Sequence, residues 1–268
     1  VLTDHDEATL RAFSAASDVR VVWGGDATVE HFRRFPIPVR GKDVVFPDRH
    51  SLAIVDAASV AALEQAELES LARRFFDDAF WFDQGACSSP RLLLWRGADD
   101  ADATERAVRR FRDAVLAITR QRGYTVETGM AINKIAFAAD VAARFEGVRI
   151  ESTTNEAMWV RLASVSDYDR ENCGGGLFFE VVSLDLGADL AALVGPRDQT
   201  VTVFGIERDE LVDLSGRLNG RGVDRIVPVG RALAFDSTWD GIDLLAEFSR
   251  RVVVEAGTSA DAASSSRS

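Results

Sequence analysis

Cys87 is the residue best placed for chemistry, because of the stretch that carries it: Asp83-Gln84-Gly85-Ala86-Cys87-Ser88-Ser89-Pro90-Arg91. Gly85 and Ala86 bring no bulky side chain, so the backbone there can approach a ligand closely. Two serines and a proline follow, which is the composition of a loop and not of a core helix. The loop also falls between a predicted helix and a predicted strand, where backbone N–H groups are free to bind a developing oxyanion. These features turn a cysteine from a small core hydrophobe into a candidate nucleophile. Cys173 precedes Gly174-Gly175-Gly176 and has no recognisable partner, so it reads as a structural thiol.

The bulk numbers narrow the class of protein. A chain of 268 residues has room for one large domain or two modest ones. Its net charge of −12 would repel a nucleic acid. The densest basic cluster, Arg106, Arg109, Arg110 and Arg112, is interleaved with Glu105 and Asp113 and reads as a solvated helix face. No apolar run reaches the roughly 18 residues of a membrane span. The opening, Val1 to Glu7, lacks the basic start and apolar core of a signal peptide. It also lacks a starting Met, which suggests an alternative start codon or a chain cut from something longer. Two cysteines make a disulfide framework improbable, so a reducing cytoplasm is the expected location. No Cys-x-x-Cys or His-Glu-x-x-His spacing is present, and no metal site is expected.

The elements that must position Cys87 read as alternating strands and helices. Val19, Val21 and Val22 form a strand that ends at Trp23-Gly24-Gly25-Asp26. A helix follows with Val29, Phe32 and Phe35 on one side and Asp26 as its cap. Short strands are expected over 43–46 and 52–55. One helix from Ser59 to Phe80, with Leu63, Leu68, Leu71 and Phe75 on its apolar side, delivers the chain to the cysteine loop. Arg91-Leu92-Leu93-Leu94-Trp95 suits a buried strand. Asp102 and Glu105 make a capping pair for a helix ended by Gly123. A further helix over 131–145 precedes strands at 148–151, 157–162, 177–184 and 200–204. A helix over 210–218 stopped by Gly220 and a strand over 226–229 complete the pattern. This alternation predicts an α/β fold with mainly parallel sheets. The Ala-, Ser- and Gly-rich end, Ala256 to Ser268, is expected to be a disordered tail.

With the elements in place, a family resemblance becomes specific. Gln84-Gly85-Ala86-Cys87-Ser88-Ser89-Pro90-Arg91 resembles the cysteine loop of LuxC-type acyl-CoA reductases, a branch of the aldehyde dehydrogenase superfamily. Val21-Val22-Trp23-Gly24-Gly25-Asp26 resembles that family's strand-to-helix turn, and Pro36-Ile37-Pro38-Val39-Arg40-Gly41-Lys42-Asp43 the segment after it. Gly222-Val223-Asp224-Arg225-Ile226-Val227-Pro228-Val229-Gly230 and Trp239-Asp240-Gly241 resemble its closing motifs.

The resemblance implies an aldehyde-dehydrogenase-like fold: a parallel-sheet catalytic domain with the remnant of a Rossmann-type dinucleotide-binding domain. Residues 1–50 would be the end of the dinucleotide-binding domain, 51–230 the catalytic cysteine domain, and 231–255 a closing segment. The implied activity is reduction of a fatty acyl thioester, acyl-CoA or an acyl-carrier thioester, to an aldehyde, with NADPH as cofactor. Cys87 would accept the acyl group, and Trp23, Gly24 and Gly25 would let the cofactor pyrophosphate or nicotinamide approach the backbone. Without the resemblance, Gly24-Gly25 reads as a tight turn. A homo-oligomer is a further implication of the superfamily.

One departure bears on the direction of the chemistry. Oxidising relatives carry Glu-Leu-Gly-Gly-Lys upstream of the cysteine, and its Glu activates the water that hydrolyses the acyl-enzyme. Here the stretch is Phe46-Pro47-Asp48-Arg49-His50-Ser51, with Phe46 where that Glu would fall. LuxC relatives read Gly-Pro-Lys-Tyr-Ser, so Asp48-Arg49-His50 departs from its own branch as well. His50 is a candidate proton donor to the departing group, against a surface or cofactor-edge role. Glu180 lies near the region where dehydrogenases hold the cofactor ribose, but the Glu-x-Phe pattern is not reproduced. Trp239 and Asp240 read as packing and turn residues. The family extends further on the N-terminal side, so the isolated chain is expected to bind NADPH poorly and turn over slowly. The competing expectations are an aldehyde-oxidising dehydrogenase, which Phe46 weighs against, and a non-catalytic fragment serving as an assembly module.

Overall fold

A computed structural model describes residues 6–97, 100–171 and 174–255. Cys173 and the tail 256–268 lie outside the described residues. In chain order the elements are α1 (Glu7–Ala16), β1 (Val19–Trp23), α2 (Asp26–Arg33), β2 (Lys42–Phe46), β3 (His50–Asp56), α3 (Ala57–Ala62) and α4 (Gln65–Ala79). Then come β4 (Pro90–Arg96), α5 (Ala101–Gln121), α6 (Thr128–Arg144), β5 (Arg149–Thr153), β6 (Met158–Arg161) and β7 (Leu177–Ser183). The last are α7 (Leu186–Leu193), β8 (Asp198–Phe204), α8 (Arg208–Leu218), β9 (Arg225–Pro228), β10 (Thr238–Trp239), β11 (Ile242–Asp243) and α9 (Leu244–Glu247).

Seven strands form one sheet in the order β5-β6-β7-β4-β3-β8-β9. Every pairing in it is parallel except that of the edge strand β5 with β6. Helices cover both faces, as a parallel sheet requires. Ala53, Val55, Leu93, Trp95, Trp159 and Phe178 point to the face packed by α3, α4 and α5. Leu52, Ile54, Leu92, Leu94, Val160 and Phe179 point to the face packed by α6, α7 and α8. The period of two along each strand thus divides the core into two clusters, and each fully buried large side chain contributes about 1.5–3 kcal/mol.

β1 and β2 stand apart as a parallel pair, and β10 with β11 forms a small antiparallel hairpin. Val44, Phe46, Trp239 and Leu244 form a third core between them. The first and last segments of the described chain therefore close on each other above the large sheet, which runs in sequence from His50 to Pro228.

Three local expectations are corrected. The helix expected over 59–80 is two helices, because Glu64 and Glu67 make a capping box that starts α4 afresh. Asp100, not Asp102, caps α5; its side chain accepts the Asp102 N–H at 2.9 Å. Asp26 is the first residue of α2 and not its cap: Gly25 holds that position without a side-chain bond. In addition, α1, which the pattern of the sequence did not suggest, is capped by Asp6.

Candidate active site

The cysteine loop is built by a sequence of backbone reversals after α4. Asp83 and Gln84 both adopt left-handed backbone, with φ of 51° and 60°. Gln84 N–H bonds back to the Ala79 carbonyl at 2.8 Å and Gly85 N–H to that of Phe82 at 2.7 Å. A Cβ at Gly85 would stand 2.9 Å from the Phe82 carbonyl oxygen, so the turn needs glycine. Ser89 N–H closes the next turn on the Ala86 carbonyl at 3.0 Å, which puts Cys87 and Ser88 at its apex.

Buried side chains fix this loop to the sheet. Gln84 is fully buried and donates to the Leu177 carbonyl at 2.8 Å. Tyr124 donates its hydroxyl to Asp83. Ser89 Oγ donates to the Asp78 carbonyl at 2.7 Å, and Ser51 Oγ to the Cys87 carbonyl at 2.7 Å. The apex is therefore rigid on one side and open on the other.

Cys87 faces a cavity of about 500 Å³. Its walls are Trp23, Gly24, Gly25, Phe46, Phe82, Leu233, Phe235 and Trp239, with Asp48, Arg49 and Arg91 supplying charge. Four rings meet in one cluster: Trp23 lies 4.4 Å from Phe46 and 6.2 Å from Phe235, and Phe235 lies 4.9 Å from Trp239. Trp23 is 54% exposed, so this wall is open at its outer edge.

Burial pushes the Cys87 thiol above its ordinary range, and the Asp240 carboxylate adds to that. The N–H groups of Cys87 and Ser88, together with Arg91, pull the other way. Burial also raises the Asp240 carboxyl, against the nearby Arg49. Asp240 sits in left-handed backbone, as its reading as a turn residue suggests. It is buried as well, and Gln199 donates to its Oδ1.

The sequence candidates separate in space. Cys87, Trp23, Gly24 and Gly25 all line the cavity, and so does Phe46. His50 does not: it is 5% exposed and its Nδ1 lies 3.0 Å from Arg91 Nη1. Burial, then the Arg91 charge, hold its pKa below the usual imidazole value, against Asp198. Glu180 lies in the core, where Trp95 donates to it at 3.1 Å and Arg112 forms an ion pair with it. Arg91, Leu233 and Phe235 were not singled out by sequence reading; Arg91 was visible only as the end of the cysteine motif.

A dinucleotide fits one part of this site and not another. The aromatic wall beside Gly24 and Gly25 suits a flat ring set against Cys87. The N-terminus of α2 does not suit a pyrophosphate. Asp48 Oδ2 accepts the Asp26 N–H at 3.1 Å, and Asp26 Oδ1 accepts the Asp48 N–H at 3.3 Å. Two carboxylates thus occupy the end where a helix would offer free N–H groups to an anion. A Cβ at Gly25 would meet Asp48 at 3.0 Å and one at Gly24 would meet Thr28 at 3.0 Å, so both glycines answer to neighbours in this turn.

A mostly parallel sheet with helices on both faces and a turn-borne cysteine at the mouth of an apolar cavity is the aldehyde dehydrogenase type of fold. Solved structures agree. Aldehyde dehydrogenase 21 from Physcomitrella patens, in complex with the reaction product succinate, superposes with a TM-score of 0.58 at 11% identity, over 87% of this chain and 49% of that one. NADP-dependent glyceraldehyde-3-phosphate dehydrogenase from Bacillus halodurans, complexed with NADP, gives 0.53 at 13% identity, over 85% and 48%. Bifunctional proline utilization A gives 0.54 at 14%, over 78% and 22%. The chain thus spans half or less of the length of these relatives.

The particular family follows from the sequence: the model of acyl-CoA reductase (LuxC) matches residues 1–251, and the chain belongs to that family. No curated protein matches the sequence significantly. Among the described residues, no helix is long and apolar enough to cross a membrane.

Proposed function

We propose that this chain carries the acyl-accepting site of a fatty acyl thioester reductase, with Cys87 as nucleophile. The observation that supports it most is the joint placement of Cys87 and Phe46 on one apolar cavity. The Cys87 thiolate attacks the thioester carbonyl, a C–S bond forms, and the carrier thiolate leaves and takes up a proton. The N–H groups of Cys87 and Ser88 are the donors nearest the developing oxyanion. Phe46, 3% exposed, excludes water where an oxidising relative would place a base, so the acyl-cysteine persists. NADPH, when bound, supplies the hydride that brings the acyl group to the aldehyde level. Trp23, Gly24 and Gly25 would hold its nicotinamide end; one structural relative was solved with NADP. CoA and acyl-carrier thioesters present the same carbonyl to Cys87, and the apolar wall suits an alkyl chain.

The test is mass spectrometry of the intact chain after exposure to a fatty acyl-CoA. Addition of one acyl group with release of free CoA, lost in Cys87→Ser, is the expected result. Absence of acylation of the intact chain would leave it as a non-catalytic assembly module, and acylation that persists in Cys87→Ser would overturn Cys87 as the acceptor. Loss of nicotinamide absorbance with acyl-CoA, rather than its gain with aldehyde, separates reduction from oxidation.

A further inference from the structure

Two irregularities in the sheet lie on either side of Ser51. Between β3 and β4 the pairing steps from Ser51 with Pro90 to Leu52 with Leu92, so Arg91 is an extra residue in the ladder. Between β3 and β8 it steps from His50 with Asp198 to Ser51 with Thr200, so Gln199 is extra there. Such bulges re-aim side chains and gather beside active sites. Here one turns Arg91 into the wall of the Cys87 cavity, and the other turns Gln199 onto Asp240.

Arg91 is held without an acid. Its Nη1 meets His50 Nδ1 at 3.0 Å and the Arg170 carbonyl at 3.5 Å, while its Nε is buried with no partner. Among the described residues, no carboxylate lies within ion-pair distance of it. A partly desolvated guanidinium with no counter-charge is costly, and is relieved by any anion formed within reach. In the cavity that Arg91 shares with Cys87, the group that must become anionic before it can attack is the Cys87 sulfur.

We propose that Arg91 is the counter-ion of the Cys87 thiolate, and that His50 is a positioning residue that holds Arg91 in place. This deepens the reading of Cys87 as a nucleophile and rests on it for its use. Arg91 remains protonated throughout, so it acts by charge and not by proton transfer. Donation by Arg91 requires a free lone pair on His50 Nδ1, which a neutral imidazole with its proton on Nε2 provides. Burial and Arg91 itself keep the ring neutral; Arg170 acts in the same sense, while Asp198 and Glu171 oppose it. At the sulfur, the two loop N–H groups and Arg91 oppose, without cancelling, the burial and the Asp240 charge that disfavour the thiolate. His50 thus replaces its expected role as proton donor with one exerted through Arg91.

The experiment is alkylation of the full chain by iodoacetamide over a pH series, with modification at Cys87 followed by mass and folding checked by circular dichroism. Arg91→Gln should move the inflection upward by about 1 pH unit, the lower end of the effect of a nearby opposite charge. Arg91→Lys should move it less. His50→Leu should shift it in the same direction as Arg91→Gln, while His50→Gln, which keeps an acceptor, should stay near the parent. An Arg91→Gln profile that superimposes on the parent overturns the proposal. Should Arg91→Gln not fold, an unmoved profile in His50→Leu overturns it instead. No thioester enters these assays, so a chain that shows the shifts yet is not acylated by acyl-CoA refutes the reductase reading alone.

Discussion

Ser51 donates its hydroxyl to the carbonyl oxygen of Cys87 at 2.7 Å and accepts the Thr200 N–H at 3.2 Å. One buried hydroxyl therefore ties the backbone of the nucleophile to β3 and β8 at the level of both bulges. Ser51→Ala removes both of these bonds beside the loop, at a cost of about 1–3 kcal/mol. Urea unfolding should register that loss, and Cys87 alkylation should become slower or heterogeneous. Stability within about 0.5 kcal/mol of the parent, the range of an ordinary surface change, would show that the tie is dispensable.

Asp240 opposes Arg91 at the sulfur. Its charge is the second cause, after burial, that pushes the Cys87 thiol up. Removing that charge in Asp240→Asn should lower the pH at which Cys87 becomes reactive. Burial still acts, so the midpoint should remain above that of a free thiol. The pH–rate curve for iodoacetamide checks both statements, and a midpoint that rises or stays fixed contradicts the assignment.

The parts of this site that the sequence makes legible are those made by neighbours along the chain. The Cys87 loop shows because Gly85, Ser88, Ser89 and Pro90 encode its turns within a few residues. The alternation of strands and helices shows because each buried strand is a short apolar run and each helix has one apolar stripe. The contacts that tune Cys87 are of another kind. His50 and Arg91 are 41 positions apart, as are Gln199 and Asp240. They meet because each of two strand pairings slips by one residue, and no periodicity signals a slip. Trp239 is similar: it reads as a packing residue and does pack, but on Phe46 in the cavity wall. The break between α3 and α4 was written in the sequence as Glu64 and Glu67, a capping box hidden inside a continuous apolar stripe.

Phe46 offers a direct test of how the acyl-enzyme is kept from water. In Phe46→Glu a carboxylate enters the site against Trp23, where burial will favour its protonated form. Loss of the buried ring should cost about 3–5 kcal/mol, so the variant should melt earlier. Once ionised at higher pH, the new carboxylate can draw a proton from water beside the acyl-cysteine. The lifetime of the acylated chain, read by mass spectrometry, should shorten as pH rises in the variant and change less in the parent. Equal lifetimes at every pH would mean that Phe46 does not protect the intermediate.

Asp78 links the stability of the cavity wall to pH. It is fully buried on α4, and its two oxygens accept the Gly230 and Ala232 N–H groups at 2.6 and 2.8 Å. This clamp anchors the segment that then presents Leu233 and Phe235 to the cavity. Burial pushes its carboxyl up to about 6, although both N–H bonds favour the ion. A carboxyl raised on folding takes up a proton as the chain folds at intermediate pH. The stability this gives is complete below the ordinary value of 3.8 and is lost as pH rises through about 6. The shift corresponds to about 3 kcal/mol, at roughly 1.4 kcal/mol per pKa unit. Asp78→Asn imitates the protonated acid, so it should lack this dependence. The difference in unfolding free energy, parent minus variant, should therefore fall across that pH window and level off above it. A difference that rises with pH there would mean that the two N–H bonds outweigh burial, and that Asp78 holds the wall most firmly as the ion.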